Sequence, residues 1–327
     1  MDPLTHAISG IALARALPGH PLPRSQVILL AGLAMLPDAD YILTFISDTI
    51  YLRYHRGITH SILMLPLWTW LIYALLGKTR SAIPAWLIAA AIALHIGLDL
   101  VTSFGTMILA PFSDWRAALD LVFIIDPLFT ACLLLPLIPA MAFHKHMRRL
   151  AICAFILAGS YLALTGWAHH RAITIARHAH PDAVSHAALP LPFSPFHWQL
   201  IAAWPDHYAR TGINLIPSFP GSAPFFPESF VRTYMPPLNT AETLRWQTLP
   251  AMQSVAGIAG LPGISFYRWF ARFPVLLERD AKHIEFGDLR FGAGVKGAES
   301  PFRLYIETGH TPRAWLIWRK GSQSPLP

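Results

Sequence analysis

His55-Arg56-Gly57-Ile58-Thr59-His60 puts two imidazoles and a guanidinium within six residues, directly before the apolar run Ser61 to Leu76. Ionisable groups in water-poor surroundings are costly to keep, so they mark function more often than packing. Three further stretches have the same character: Asp2-Pro3-Leu4-Thr5-His6, Leu36-Pro37-Asp38-Ala39-Asp40 and His95-Ile96-Gly97-Leu98-Asp99. All four fall in the first hundred residues, at the edge of an apolar run or inside one. The remainder reads as a scaffold that brings them together.

Composition fits that reading. Of 327 residues, 54% are hydrophobic and 13% charged, against about 25% charged in an ordinary soluble domain. Mean hydropathy is +0.43. An integral membrane protein is expected. The net charge of +7 does not require nucleic acid. Its clearest basic cluster, His144-Lys145-His146-Met147-Arg148-Arg149, lies between two apolar runs. A cytoplasmic loop obeying the positive-inside rule accounts for it, and no basic-aromatic module accompanies it. Cys132 and Cys153 sit inside apolar runs and read as buried small hydrophobes, so metal ligands would come from His and carboxylate. No basic stretch precedes the first apolar run, so no cleaved signal peptide is expected.

Along the chain, residues 7–17 are a short apolar helix candidate interrupted by Arg15 and followed by Pro18, Pro21 and Pro23. Val27 to Leu36 is a second run, with a break expected before Pro37. Each is about 11 residues, roughly 16 Å as helix, half the ~30 Å hydrocarbon core. The pair is either a re-entrant hairpin returning His6 beside Asp38 and Asp40, or a second run that continues through Tyr41–Ile46 and spans with two aspartates inside it. Ser61 to Leu76, Ala82 to Val101, Leu121 to Phe143 and Leu150 to Trp167 follow, each long enough or nearly so to cross a bilayer. Alternating topology puts Lys78, Arg80 and the 144–149 cluster on one face, the cytoplasmic one. His55–His60, Asp99 and Asp126 then lie toward the other.

After Trp167 the character changes. Residues 181–237 carry eleven prolines and read as irregular, turn-rich chain. Tyr267 to Phe273 reads as a short aromatic helix at the membrane interface. Ile284, Phe286, Leu289 and Phe291, then Phe302, Leu304 and Ile306, then Ala314 to Trp318, read as antiparallel strands. The expected fold is an α-helical polytopic membrane protein of about 4–6 membrane helices with a small β-rich C-terminal domain. Residues 1–168 would form the membrane domain carrying the site. Residues 169–327 would be extramembrane and periplasmic, Pro-rich and then β-rich.

Spacing narrows the chemistry. His95 and Asp99, four apart on a helix, project from one face and suit either a shared metal or a polar pair facing a bundle. Asp38 and Asp40 share a face only in extended chain and diverge on a helix. His55 and His60 diverge on a straight helix, so His55 is expected in a loop and His60 at the start of the next helix. His6 alone would be an interfacial or core histidine. As a set, His6, His55, His60 and His95 with Asp38, Asp40 and Asp99 suit Zn²⁺ first, and Mn²⁺ or Fe²⁺ next, in one centre or two. Burial makes each of the seven costly unless paired or neutralised, and Arg53 and Arg56 are the only cations between Asp38 and His60. Asp40 is the expected general base. Arg56 is the expected contact to a substrate phosphate, or else an interfacial anchor. Asp126 is the expected outer partner of a ligating histidine. The chain has no P-loop and no Gly-x-Ser-x-Gly elbow.

Met1-Asp2-Pro3-Leu4-Thr5-His6, Leu36–Asp40, His55–Ser61 and His95–Asp99, in that order, resemble the membrane-bound, predicted metal-dependent hydrolases of the YdjM type. The resemblance continues through Thr102-Ser103-Phe104-Gly105-Thr106, Pro111-Phe112-Ser113 and Ile125-Asp126-Pro127, and more weakly into Leu191–Trp198. It implies a bacterial inner-membrane protein and a hydrolase. The His-x-x-x-Asp pair is also similar to zinc-dependent phospholipase C, which implies a lipid-linked or amphipathic phosphoester or ester substrate and membrane lipid as surroundings. The rival expectations are a metal or proton transporter, whose relays also use intramembrane His and Asp, and a C-terminal partner-binding module with a membrane anchor.

Overall fold

The computed structural model describes residues 1–17, 22–76, 83–142, 144–218, 235–292, 300–309, 311–317 and 323–326. Pro18, Pro21, Lys78, Arg80, Phe143 and Trp318 lie outside the described residues. The chain divides into two compact units: residues 1–42 with 54–166, and residues 43–53 with 167–327.

The first unit is helical. Asp2 caps α1 (Pro3–Ala16), accepting from the Thr5 amide at 3.0 Å, and Pro3 sits at the start of the helix. Proline is tolerated there because the first-turn amides have no helical partner. Asp2-Pro3 therefore fixes where the helix begins and sets His6 one turn in. α2 (Arg24–Met35) packs against α1 at close range. A Cβ on Gly10 would come within 2.7 Å of the Leu30 carbonyl oxygen, so this crossing needs glycine.

Pro37 does not break the chain. The helix tightens at Leu36 into a 3-10 helix, Leu36–Phe45, and Arg24–Phe45 is one apolar segment of 22 residues. The chain thus stays helical through Phe45, with Asp38 and Asp40 inside this apolar segment.

α3 (Asp48–Tyr54) leads through a 3-10 turn, Ile58–His60, to α4 (Leu65–Leu75), bent by 81° from it. His60 therefore precedes the helix it was expected to begin. Pro66 in the first turn of α4 sets the later start. No residue of α4 is buried, and a helix apolar on every side suits lipid rather than water. α5 (Ala85–Leu100) packs against α1, α2 and α4. Residues 101–126 form an irregular crown, followed by α6 (Pro127–Ala142) and the 33-residue α7 (Met147–Ala179). Among the described residues, Arg24–Phe45 and Met147–Ala179 are long and apolar enough to cross a membrane, and the bent pair makes up to three spans. Cys132 is half-buried and Cys153 exposed, both free thiols. Cys153 lies on an outward face of α7, not in the core.

The second unit is β-rich. β1 (Ser185–Pro190), β2 (His197–Ala203) and β3 (His207–Asn214) form an antiparallel set, extended from β3 by β4 (Leu238–Asn239) and β5 (Gln247–Pro250). β1–β3 correct the irregular reading over 185–214, and residues 219–234 lie outside the described residues. Alternate residues serve two cores. Leu189 and Ile201 face Phe273 and Val275, while Ala188, Trp198 and Leu200 face an alanine stripe of α7, Ala168, Ala172 and Ala176. A sheet buried on both faces shows no polar alternation to read, and Pro190 ends an edge strand, where proline is tolerated.

The second sheet runs β10-β9-β8-β7-β6, antiparallel throughout: β6 (Pro274–Arg279), β7 (His283–Asp288), β8 (Arg303–Glu307), β9 (Arg313–Ile317) and β10 (Ser324–Leu326). Leu289 and Phe291 leave the expected strand for a 3-10 turn capped by Asp288 and closed by left-handed Gly292. The aromatic segment is α8 (Ile264–Phe270). Tyr267 and Phe270 are buried, and the Tyr267 hydroxyl donates to the Phe302 carbonyl. It is a core helix, because its rings find apolar partners in Phe291 and Phe302.

Candidate metal centre

The four motifs of the first unit converge. α5 carries His95 and Asp99, the 3-10 turn carries His60, and the 3-10 helix after α2 carries Asp38. His60, His95 and Asp99 are fully buried, and the Asp38 side chain is 23% exposed. His60 Nε2 lies 3.0 Å from His95 Nε2. Asp38 Oδ1 is 3.3 Å from the first and 3.6 Å from the second. Asp99 Oδ2 is 3.1 Å and 3.5 Å from the same two nitrogens. Bonds of about 2.0–2.1 Å around a tetrahedral ion give edges of about 3.3–3.4 Å. Five of the six edges of this tetrahedron therefore fall between 3.0 and 3.6 Å.

The hydrogen bonds behind the histidines fix which nitrogen faces inward. His95 Nδ1 donates to the Ala34 carbonyl at 2.6 Å. The Thr59 hydroxyl donates to Asp40 Oδ2 at 3.0 Å, which leaves it to accept from His60 Nδ1 at 2.9 Å. Both rings then present bare Nε2 lone pairs to one another and to two carboxylates. Such a grouping needs a cation or an added proton between them. Nδ1–H donation to a carbonyl or hydroxyl is also the usual backing of a metal-bound imidazole. The residues fit a divalent ion.

His6, Asp40, His55 and Arg56 surround this cluster in different ways. His6 stacks on His95 with ring centroids 3.7 Å apart, and its Nε2 is 3.3 Å from Asp99 Oδ1. Among the described residues neither of its buried ring nitrogens has a hydrogen-bond partner. His6 and Asp38 thus flank the same imidazole. Asp40 pairs with His55. Its Oδ1 meets His55 Nδ1 at 2.8 Å, and its Oδ2 accepts from the Arg56 amide at 3.2 Å and from Thr59. Asp38, Asp40 and His55 form a second donor group that shares Asp38 with the first.

Arg56 and Asp126 have these described partners. Arg56 is buried, and its guanidinium meets Asp99 Oδ1 at 2.8 Å and the Thr102 hydroxyl at 3.0 Å over the Phe104 ring. Its backbone is left-handed, φ 58°, and its guanidinium lies against Asp99. The Met1 ammonium meets the same carboxylate. Asp126 caps α6, accepting from the Leu128 and Phe129 amides at 2.9 and 3.0 Å and from the Tyr161 hydroxyl at 2.8 Å. Its described bonds go to the helix start and not to a site histidine, because Pro127 opens α6 directly after it.

Spacing alone did not single out Thr59, Ser61, Thr102 and Phe104. Ser61 ties the turn to the crown through the Ala110 carbonyl at 2.6 Å, and the Met107 amide donates to the Arg56 carbonyl at 2.8 Å. The signal for them was the ordered run of motifs through residue 106.

A family model described as YdjM inner membrane protein matches residues 1–172, just over half of the chain and all of the cluster. The chain belongs to the YdjM inner membrane protein family. Its described helices supply two or three candidate spans for that membrane. Uncharacterized protein YfhP of Bacillus subtilis (strain 168) is 33% identical over 138 residues, covering 39% of this chain and 42% of that protein. The chain thus spans less than half the length of the curated relative it matches. No solved structure matches it.

Proposed function

We propose that the first unit is a metal-dependent hydrolase working at the inner membrane on an amphipathic or lipid-linked phosphoester or ester. The observation that carries this reading is the near-tetrahedral spacing of Asp38, His60, His95 and Asp99, with the hydrogen-bonded Asp40–His55 pair beside it. A divalent ion held there, Zn²⁺ by preference and Mn²⁺ or Fe²⁺ next, supplies an activated water and polarises the oxygen of the bond to be cut. Asp40 holds the Nδ1–H tautomer of His55, which makes Nε2 the basic atom, so His55 moves the proton and Asp40 orients it. His6 closes the cluster behind His95. Arg56 fixes Asp99 and balances its charge. Asp38, the partly exposed member, lies where substrate enters.

The reading includes the topology. About 4–6 apolar segments cross or enter the bilayer once α5, α6 and the α1–α2 pair are counted. The 144–149 cluster is cytoplasmic, and residues 169–327 are periplasmic. The test is turnover of a panel of phosphodiesters and esters by metal-loaded protein. His55→Ala should keep its metal and lose about 10²–10⁴-fold in rate. Unchanged turnover in that variant removes His55 from the reaction, and no turnover across the panel by metal-loaded protein counts against the hydrolase.

One observation favours a transporter instead: Asp38 and Asp40 lie inside the apolar segment Arg24–Phe45, a candidate span, and carboxylates within a span serve proton relays. Proton or zinc flux into liposomes that His95→Ala abolishes would select that reading.

A further inference from the structure

A cavity of about 280 Å³ opens between the 3-10 helix after α2 and α4, lined by Leu36, Pro37, Ala39, Thr59, Trp68, Leu71, Ile72, Leu75 and Ile92. Its walls belong to the segments that build the metal centre. Pro37 and Ala39 flank Asp38, Thr59 precedes His60, and Ile92 lies one helical turn before His95. Thr59 supplies the polar point, and its hydroxyl is already engaged by Asp40 and His60. Apolar cavities of this kind stay dry and take up hydrocarbon. The volume is below the range of about 300–1,000 Å³ for a drug-sized ligand, which allows one chain and not a whole two-chain lipid. The rim residue Leu75 is 76% exposed on a helix with no buried residue, so the mouth opens onto the lipid-facing side.

We propose that this cavity holds the single hydrocarbon chain of a membrane amphiphile whose phosphoester or ester head reaches the Asp38–His60–His95–Asp99 cluster. The proposal rests on the hydrolase reading and specifies its substrate: a head group recognised by the cluster and one alkyl chain recognised by the cavity. Chains of the surrounding bilayer reach the outer face of α4. They do not reach Ile92, which is 2% exposed, except through the cavity.

The probe is dodecyl phosphate carrying a diazirine on the chain close to the phosphate, added to the full chain in phosphatidylcholine nanodiscs, with the labelled residues mapped by mass spectrometry. Label is expected on Ile92 and Ile72, competed by unlabelled dodecyl phosphate and not by butyl phosphate. Ile72→Trp fills the cavity and should lower Ile92 labelling about tenfold, the loss from excluding two methylenes. Ile72→Ala, which leaves it open, should retain the label. Leu75→Trp at the rim gives the same comparison if Ile72→Trp does not insert.

Label confined to outward residues such as Leu67 and Trp70, with none on Ile92, overturns the proposal. So does Ile92 label that dodecyl phosphate fails to compete, since bulk lipid would then fill the cavity. Metal content of the same samples separates the two readings. Bound metal without Ile92 label removes the chain site alone. Competed Ile92 label without metal leaves the chain site and removes the hydrolase.

Discussion

His60 Nε2 and His95 Nε2 face each other at 3.0 Å, while their Nδ1 atoms turn outward to the Thr59 hydroxyl and the Ala34 carbonyl. Two lone pairs held at that distance repel unless a proton or a metal ion joins them, and the two carboxylates beside them favour the ion. Purified protein supplied with zinc is therefore expected to carry metal and to lose thermal stability on chelation. At free metal about a thousandfold above Kd, binding contributes about 4 kcal/mol. His95→Ala should hold less metal and show a smaller chelator effect. Equal stability of the wild type with and without chelator, and no bound metal by elemental analysis, would count against the site.

Arg56 and Asp99 are a buried pair, and removing one partner of such a pair costs about 3–5 kcal/mol. Arg56→Gln should lower the unfolding midpoint in detergent accordingly. Adding Asp99→Asn should restore part of the loss, because no buried charge is then left alone. The phosphate-contact role fails the opposite way: turnover and substrate affinity fall while stability stays level. Measuring midpoint and KM on the same variant decides between them.

Orientation is testable at the C-terminus. Alkaline phosphatase fused after residue 327 should be active and green fluorescent protein dark, as for a periplasmic end. The 144–149 cluster drives this through the positive-inside rule, so replacing Lys145, Arg148 and Arg149 with Gln should weaken the preference. A fluorescent, phosphatase-negative fusion of the unaltered chain would reverse the topology.

In the second unit His197 is buried with neither ring nitrogen hydrogen-bonded among the described residues, and burial pushes its pKa down. The unfolded chain, with histidine near pKa ~6.5, therefore binds a proton that the folded one resists. Stability rises with pH where the unfolded state binds more protons. It should be level above about pH 6.5 and fall as pH drops below that value. His197→Phe should flatten the acid side of a midpoint-against-pH curve. An unchanged slope would mean that another group sets the acid limit.

The family motifs, the apolar runs and the residue types of the cluster were legible in the sequence, because composition and helical period are local properties. Asp2-Pro3 marks a helix start, and His95-x-x-x-Asp99 one helical face, without reference to the rest of the chain. Pairings across distance were not legible. His60 meets His95 across 35 positions and His95 meets Ala34 across 61, and only the packing of α1, α2 and α5, with Gly10 at its closest approach, sets those separations. The turning of Arg56 toward Asp99 depends on a left-handed backbone that no side-chain pattern encodes. The placing of Asp38 against His60 and His95, and of Asp40 against His55, followed once Pro37 proved to tighten the helix instead of ending it. β1–β3 were hidden for a related reason. A strand with both faces buried loses its polar alternation, and only the alanine stripe of α7 on one side and Phe273 and Val275 on the other account for its sequence.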